Sequence, residues 1–170
     1  MASKVEPRVP RGMRDILPEQ MVRRQYVMDV IRGVFEEFGF EPLSTPAIEL
    51  EDTLKGKYGK EAERLIYSAT YGQGDEKLSL RYDLSVPLCR VIAQYQDKIV
   101  MPFKRYQIQP VWRAEKPQRG RLREFFQCDA DIVGVKDPAA DAEIIALITD
   151  TMGDLGFDAS MTLVNHRKLL

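Results

Sequence analysis

Two stretches near the middle of the chain alternate polar with apolar residues, and they constrain the fold more than any other feature. In the first, FKRYQIQPVWR, one face carries Arg105, Gln107, Gln109, Val111 and Arg113. In the second, FFQCDADIVG, one face carries Gln127, Asp129 and Asp131. A period of two places successive side chains on opposite faces of a β-strand. We therefore predict two strands, joined by the basic connection AEKPQRGRLRE, which is too long for a tight turn.

Helical periodicity surrounds these strands. An apolar stripe that Gly39 ends predicts a helix over about 18–38, which begins at a proline suited to the first helical position. Similar patterns predict helices over about 85–96 and 139–155. Residues 49–64 favour a helix only weakly because two glycines interrupt them.

The remaining segments favour extended structure. LIYSAT and KLSLRYD, joined by YGQGDE, predict a hairpin, and MTLVN predicts a last short strand before HRKLL, where another helix should begin. Pro46 cannot donate to a ladder, so FEPLSTPAIE should be an edge strand or lie at an interface. These elements predict an α+β fold, an antiparallel β-sheet flanked by helices, over 18–170, preceded by an extended arm over 1–17.

The net charge of the 170 residues is −1, yet charge is unevenly distributed. Seven basic residues and one acid lie between Lys104 and Arg123, whereas eight acids and one base lie between Asp129 and Asp158. A near-zero total does not mark a nucleic-acid-binding protein, but opposed blocks predict a positively lined site on an acidic body. No apolar run approaches the roughly 18 residues of a membrane span, so we expect no membrane partner.

Cysteine and histidine usage excludes several kinds of site. Cys89 and Cys128 are isolated, which argues against a disulfide framework or a zinc site and favours a reducing cytoplasm. We expect Cys128 to be a small buried side chain on the apolar side of its strand. His166 is the single histidine, so a nucleophilic triad is not expected.

The polar face of the two strands has two interpretations. A solvated or structural sheet face also alternates, but paired Gln and Asp residues beside arginine favour a ligand-binding face. Arg113 offers a planar fork for phosphate or carboxylate, with Glu115 two residues further on. Acceptors for an amine, imidazole or hydroxyl come from Asp83, Gln127, Asp129 and Asp131. The chain has neither GxxxxGK[ST] nor GxGxxG, so any nucleotide should be held by side chains of the sheet.

Four separate segments resemble one known family, in the correct order. VWRAEKPQRGRLREFFQCDADIVG resembles motif 2 of class II aminoacyl-tRNA synthetases in its histidyl form, and GFEPLSTPAIE resembles motif 1. VPRGMRDILP resembles the N-terminal signature of histidyl-tRNA synthetases, and LSLRYDLSVPLCR resembles their amino-acid-binding segment. NHRKLL also matches a family segment, so the resemblance runs from about residue 8 to 170.

The resemblance implies a role for particular residues. Arg113 would be the catalytic motif 2 arginine, binding both the ATP α-phosphate and the histidine carboxylate. Further ATP contacts would come from Glu115 and Arg121. The remaining histidine-binding residues would be Asp83, Leu84, Ser85, Gln127 and Asp131, the last of which would face the imidazole. The acceptor end of tRNA would meet Lys116, Arg119 and Arg123.

The resemblance also implies ligands, partners and location. The ligands would be ATP with Mg²⁺, which no cage of protein side chains would hold, together with L-histidine and tRNA(His). Motif 1 would build a homodimer through residues around 18–50, and the protein would be cytoplasmic. Motif 3, a segment of the LVRGLDYYT type and an anticodon-binding domain do not occur in the sequence. We therefore expect this chain by itself to bind ATP weakly and to activate histidine poorly or not at all.

Two other functions remain open from sequence. The synthetase-like regulatory subunit of ATP phosphoribosyltransferase shares the fold without the ligase activity. A non-catalytic RNA-binding module could use the basic connection alone, although RNA phosphate does not require the amides and carboxylates of the flanking strands.

Overall fold

The computed structural model describes residues 6–72 and 74–165. The helices there are α1 (Pro18–Glu37), α2 (Glu51–Leu54), α3 (Lys60–Glu63), α4 (Ser85–Gln94) and α5 (Ala139–Asp154). The strands are β1 (Glu41–Pro42), β2 (Ile48–Leu50), β3 (Ser68–Ala69), β4 (Leu78–Leu80), β5 (Phe103–Trp112) and β6 (Glu124–Val133). They form sheets ordered β1-β5-β6 and β2-β4-β3. No helix in these ranges is both long enough and apolar enough to cross a bilayer.

The chain divides into two compact units. The first contains the described residues up to Pro18 together with Ser44–Ile99 and Gln107–Asp129. The second contains Glu19–Leu43, Val100–Tyr106 and the described chain from Ala130 onwards.

The first unit is built on the sheet whose central strand is β4. Strands β2 and β3 both pair antiparallel with it, Ile48 opposite Leu80 and Ser68 opposite Ser79. Its core includes the fully buried side chains of Leu54, Leu84 and Val111. Since Leu84 immediately precedes α4, burial of this side chain fixes where that helix begins.

The second unit buries Val34 and Phe35 near the C-terminal end of α1. The ring of Phe35 lies 6.4 Å from that of Phe40 and 5.7 Å from that of Tyr106, measured between centroids. The chain leaves α1 through Gly39, whose φ of 76° is the left-handed conformation that ends helices. It then forms β1, which pairs in parallel with β5, Glu41 opposite Arg105.

The structure confirms the α+β class and most predicted elements. The three longer helices, the hairpin and the two alternating strands all form close to their predicted bounds. The predicted edge position of FEPLSTPAIE is confirmed, because β1 and β2 are each the outer strand of a sheet. The parallel pairing of β1 departs from an all-antiparallel sheet, because a long segment and not a hairpin separates it from β5.

Two sequence predictions are wrong. MTLVN forms no strand, and Met161 and Leu163 are 82% and 86% exposed. Alternation is not enough here, because no other strand of the described chain pairs with the segment. Cys128 is exposed and not buried, since alternation along β6 does not reveal which side of the strand is covered. The helix predicted from HRKLL falls on residues 166–170, outside the described ranges.

Candidate active site

Arg113 directly follows β5 and is held between aromatic rings. Its guanidinium carbon lies 4.5 Å from the ring centroid of Tyr82 and 5.0 Å from that of Phe125. Its Nε donates to the Tyr82 carbonyl oxygen at 3.1 Å. Among the described residues, neither terminal nitrogen of Arg113 has a hydrogen-bond or ion-pair partner. The side chain is thus fixed while two charged donors remain available for a ligand.

Asp83 lies at the start of α4, and one of its oxygens is fully engaged. Oδ1 accepts from Ser85 N and Val86 N, both at 3.1 Å, and from the Tyr58 hydroxyl at 2.8 Å. The two backbone bonds satisfy N–H groups that a helix otherwise leaves unpaired at its first turn. Oδ2 has no hydrogen-bond partner within the described chain. Asp83 therefore caps the helix and still presents one acceptor.

The two residues after Asp83 have different environments. Leu84 is fully buried in the core, so its side chain contributes packing. Ser85 is the exposed first residue of α4. The segment 83–85, predicted to bind histidine, is the start of α4. Asp83 anchors it through its carboxylate and Leu84 through its buried side chain.

Gln127 lies on β6, in the same unit as Arg113 and Asp83. Its Oε1 is buried and has no hydrogen-bond partner among the described residues. Buried polar atoms nearly always have a partner, so such an exception needs an explanation. An acceptor of this kind is suited to an N–H donor supplied by a ligand.

Asp131 belongs to the second unit, where it contacts a buried arginine. Its Oδ2 lies 2.6 Å from Nη2 of Arg105, whose side chain is 0% exposed. The distance is that of an ion pair, although this oxygen lacks the alignment of a hydrogen bond. Because burying Arg105 without a counter-charge is costly, this contact gives Asp131 a structural role as well.

The basic connection after β5 forms a short hairpin. Gln118 and Arg121 exchange backbone hydrogen bonds of 3.2 and 2.9 Å around Gly120, whose φ is 78°. Arg121 Nε forms a 3.0 Å ion pair with Glu115 Oε2. The structure thus brings together the two residues that the resemblance assigns to ATP.

Arg123 is used within the protein. Its Nε donates to the Glu115 carbonyl oxygen at 2.9 Å, and its Nη1 donates to the Arg11 carbonyl oxygen at 3.3 Å. Its backbone N–H donates to Gly12 O at 2.7 Å. By contrast, Lys116 and Arg119 are exposed and have no ion-pair partner in the described ranges.

Part of the polar face of β5 is structural. The Gln107 amide nitrogen donates to the Thr45 hydroxyl at 2.8 Å and to the Gln109 side-chain oxygen. Arg81, which is 1% exposed, donates to the same Gln109 oxygen at 3.0 Å and to Thr45 O at 2.7 Å. Burial lowers the pKa of Arg81 from its ordinary value. These amides therefore bond to one another and to Arg81, as the structural interpretation expected.

Sequence reasoning missed three aromatic residues of this site. Tyr82 and Phe125 hold Arg113, and Tyr58 bonds to Asp83. A usable signal exists for two of them, because Tyr82 adjoins Asp83 and Phe125 lies on β6 near Gln127. No local signal identifies Tyr58, which lies in a glycine-flanked turn.

The mixed α/β fold is that of part of the catalytic core of class II aminoacyl-tRNA synthetases, as its likeness to two solved structures shows. The structure resembles that of histidyl-tRNA synthetase from Nostoc sp. PCC 7120, with a TM-score of 0.76 and 34% identity, over 86% of this chain and 34% of the other. It also resembles an ATP phosphoribosyltransferase regulatory subunit/histidyl-tRNA synthetase from Bacillus halodurans C, with a TM-score of 0.78 and 25% identity, over 92% and 40% of the two chains.

The sequence profile of histidyl-tRNA synthetases matches residues 12–170, and the chain belongs to that family. A histidine–tRNA ligase from Gloeobacter violaceus is 48% identical over 94% of this chain. The chain spans 39% of the length of that relative.

Proposed function

We propose that residues 18–170 of this chain form the N-terminal portion of the catalytic domain of a histidine–tRNA ligase. The whole protein would activate L-histidine with ATP and transfer it to tRNA(His). Family membership supports this proposal, and the buried, unpartnered Oε1 of Gln127 is the observation that carries it. That oxygen matches a donor such as the α-ammonium group of an amino acid.

In the first step, a histidine carboxylate oxygen attacks the α-phosphorus of ATP. A phosphorus–oxygen bond forms, the bond to the bridging oxygen breaks, and pyrophosphate leaves with the electron pair. The carboxylate is already ionised, so no general base is required. The terminal nitrogens of Arg113 stabilise the charge that develops on the α-phosphate and orient the carboxylate.

Histidine recognition would use acceptors for its donors. Asp83 through Oδ2 and Gln127 through Oε1 would hold the α-ammonium group, with Leu84 and Ser85 completing this segment. Asp131 would accept from the imidazole, which would discriminate histidine from apolar side chains of similar size. Its ion pair with Arg105 is already in place to orient the carboxylate.

ATP would enter as its Mg²⁺ complex. The described residues contain no group of three or more His, Cys, Asp or Glu side chains positioned to hold a metal ion. Magnesium prefers phosphate oxygens together with few protein ligands, which suits a metal delivered with the nucleotide. Glu115 and Arg121 would contact the adenine and the outer phosphates. In the second step, a terminal ribose hydroxyl of tRNA(His) attacks the adenylate carbonyl, near Lys116, Arg119 and Arg123. An ester bond forms, the bond between the carbonyl carbon and the phosphate oxygen breaks, and AMP leaves with the electron pair while its phosphate takes the hydroxyl proton.

A homodimer through motif 1 is part of the proposal. Val22 and Tyr26 on α1 are each 65% exposed, and Ile48 and Leu50 on β2 are 46% and 52% exposed. Exposed apolar side chains in these elements match an interface that a second copy would cover. We propose a cytoplasmic location on the basis of the family alone.

Histidine-dependent ATP–pyrophosphate exchange tests the function, using the full-length protein that carries this sequence. Arg113→Ala should lower kcat by 10²-fold or more, since electrostatic donors of this kind contribute about 3–4 kcal/mol to the transition state. Exposed Arg64→Ala serves as the control and should keep the rate of the parent protein. A loss below about tenfold for Arg113→Ala would contradict the proposed role. This 170-residue chain alone should show little exchange.

The similarity to the regulatory subunit/synthetase structure favours a second candidate, a regulator of ATP phosphoribosyltransferase. The presence of Arg113, Glu115, Arg121, Gln127 and Asp131 argues against it, because a regulator of this kind is expected to have lost parts of the ATP-binding motif. Capture of a phosphoribosyltransferase by the full-length protein, with no adenylate formed, would support the regulator instead.

A further inference from the structure

Tyr58 occupies an unusual position for a turn residue. It follows α2 in the segment Lys55–Gly59, where Lys57 and Gly59 are exposed. Its own side chain is partly buried, and its ring centroid lies 5.0 Å from that of Tyr82, at an interplanar angle of 53°. Its hydroxyl donates to Asp83 Oδ1 at 2.8 Å. The turn thus directs one aromatic side chain towards the candidate site.

The hydroxyl of Tyr58 completes the set of donors on one oxygen of Asp83. Two backbone N–H groups of α4 already bond to Oδ1, at 3.1 Å each. The Tyr58 hydroxyl is the one side-chain donor to this carboxylate in the described chain. Three donors on Oδ1 restrict rotation of the carboxylate, so Oδ2 is held facing away from the helix start.

The ring of Tyr58 extends the same support to Arg113. Tyr58 packs against Tyr82, whose ring centroid also lies 4.5 Å from the guanidinium carbon of Arg113. Tyr82 also accepts from Arg113 Nε through its carbonyl oxygen. Tyr58 therefore bonds directly to Asp83, the proposed acceptor for the amino acid. It also packs against Tyr82, the residue that holds the cation Arg113.

From this arrangement we infer that Tyr58 is a positioning residue, which orients Asp83 Oδ2 to receive the α-ammonium group of the amino-acid substrate. The inference rests on the proposed function. It concerns an aromatic residue outside the segments on which the resemblance depends. Burial, with the bond to Asp83, raises the pKa of Tyr58 well above its usual value, so the hydroxyl remains a donor at neutral pH.

Binding measurements on the full-length protein that carries this sequence separate positioning from general stabilisation. Tyr58→Phe removes the hydroxyl but keeps the ring that packs on Tyr82. L-Histidine should bind roughly tenfold more weakly, as expected for loss of a hydrogen bond to a charged group. The deamino analogue 3-(imidazol-4-yl)propanoate keeps the carboxylate and the imidazole but has no amine. Its affinity should change less than about twofold, because it does not use Asp83.

The control is Tyr95→Phe, the same atomic change on an exposed tyrosine whose ring, and not its hydroxyl, contacts Lys98. It should bind both ligands as the parent protein does. Equal weakening of histidine and of the deamino analogue by Tyr58→Phe would overturn the inference, as would unchanged histidine binding or loss of the fold. Failure of the parent protein to bind histidine at all would instead overturn the proposed function, and this inference with it.

Discussion

Arg90 on α4 and Glu49 on β2 form a bidentate ion pair. The distance from Arg90 Nε to Glu49 Oε2 is 2.9 Å, and that from Nη2 to Oε1 is 2.8 Å. The Glu49 side chain is 6% exposed, so the pair is largely removed from water. This contact fastens the helix that begins at the candidate histidine-binding segment to an edge strand of its sheet.

Glu49→Gln should lower the free energy of unfolding by about 2 kcal/mol, because an amide N–H group would face the guanidinium and leave the partly buried Arg90 without a counter-charge. Urea denaturation measures this loss. The control is Asp29→Asn, which removes a 2.5 Å pair with Arg32 between side chains 64% and 45% exposed, and should cost less than about 0.5 kcal/mol. Equal costs for the two variants would contradict the assigned role of Glu49.

Arg81→Lys should destabilise the protein by about 2–3 kcal/mol even though charge is conserved. The guanidinium serves acceptors in different directions, among them Pro110 O at 2.9 Å and Thr45 O at 2.7 Å. An ammonium group cannot reproduce that planar fork, so buried acceptors would be left unpaired. Thermal unfolding compares this variant with exposed Arg64→Lys, which should match the parent protein. A Tm within about 1 °C of the parent would show that the fork is not required.

Gly12→Ala should loosen the basic hairpin. Gly12 has a φ of 85°, and an added Cβ would lie 2.8 Å from Pro117 Cγ and 2.9 Å from Arg123 Cδ. Gly120→Ala is the matched control, because its φ of 78° carries the same backbone penalty but no atom lies within 4 Å of the new Cβ. Trypsin cleavage after Arg121, within the hairpin, should be several-fold faster in Gly12→Ala than in Gly120→Ala. Equal cleavage rates would show that the arm does not support the hairpin.

Tyr106 makes stability depend on alkaline pH. Burial, together with the hydrogen bond that its hydroxyl donates to Glu36 at 2.6 Å, raises the pKa of Tyr106 above its ordinary value of 10.0. The unfolded chain therefore releases this proton first. The stabilisation is complete below pH 10 and is lost as pH rises from there through the folded pKa. Urea unfolding between pH 8 and 11 should show a steeper decline for the parent protein than for Tyr106→Phe. Parallel curves would contradict this assignment.

The strands and helices were predictable because their signals are local. Gly39 ends α1, and the period of two along β5 and β6 requires extended structure. Periodicity does not reveal which other element packs against a given face of a strand. Cys128 was predicted to lie on the buried side of its strand, but it is exposed. The segment around Leu163 was predicted to be a strand, but no strand of the described residues pairs with it.

The candidate site was predictable in part for the same reason. Arg113, Asp83 and Gln127 were identified from the polar character of their segments, and the structure gives each of them at least one atom without a partner in the described chain. Arg81 and Tyr58 were missed because their importance comes from contacts between residues far apart in sequence. Contacts between residues far apart in sequence decide which side chains hold others in place and which remain available to a ligand.

The intramolecular contacts of the seven basic residues between Lys104 and Arg123 determine how the proposed binding of tRNA should respond to salt. Five of these seven cations already have intramolecular partners: Lys104 with Glu143, Arg105 with Asp131, Arg113 with Tyr82 and Phe125, Arg121 with Glu115, and Arg123 with carbonyl oxygens. Lys116 and Arg119 remain, and each phosphate contact changes the slope of log K against log salt by roughly −0.7 to −0.9. The slope lost when both residues are replaced by alanine should thus be roughly −1.4 to −1.8. Ionic strength would then control how readily the proposed acceptor-end contact is released, and it would act mainly through the two cations that have no partner among the described residues, Lys116 and Arg119.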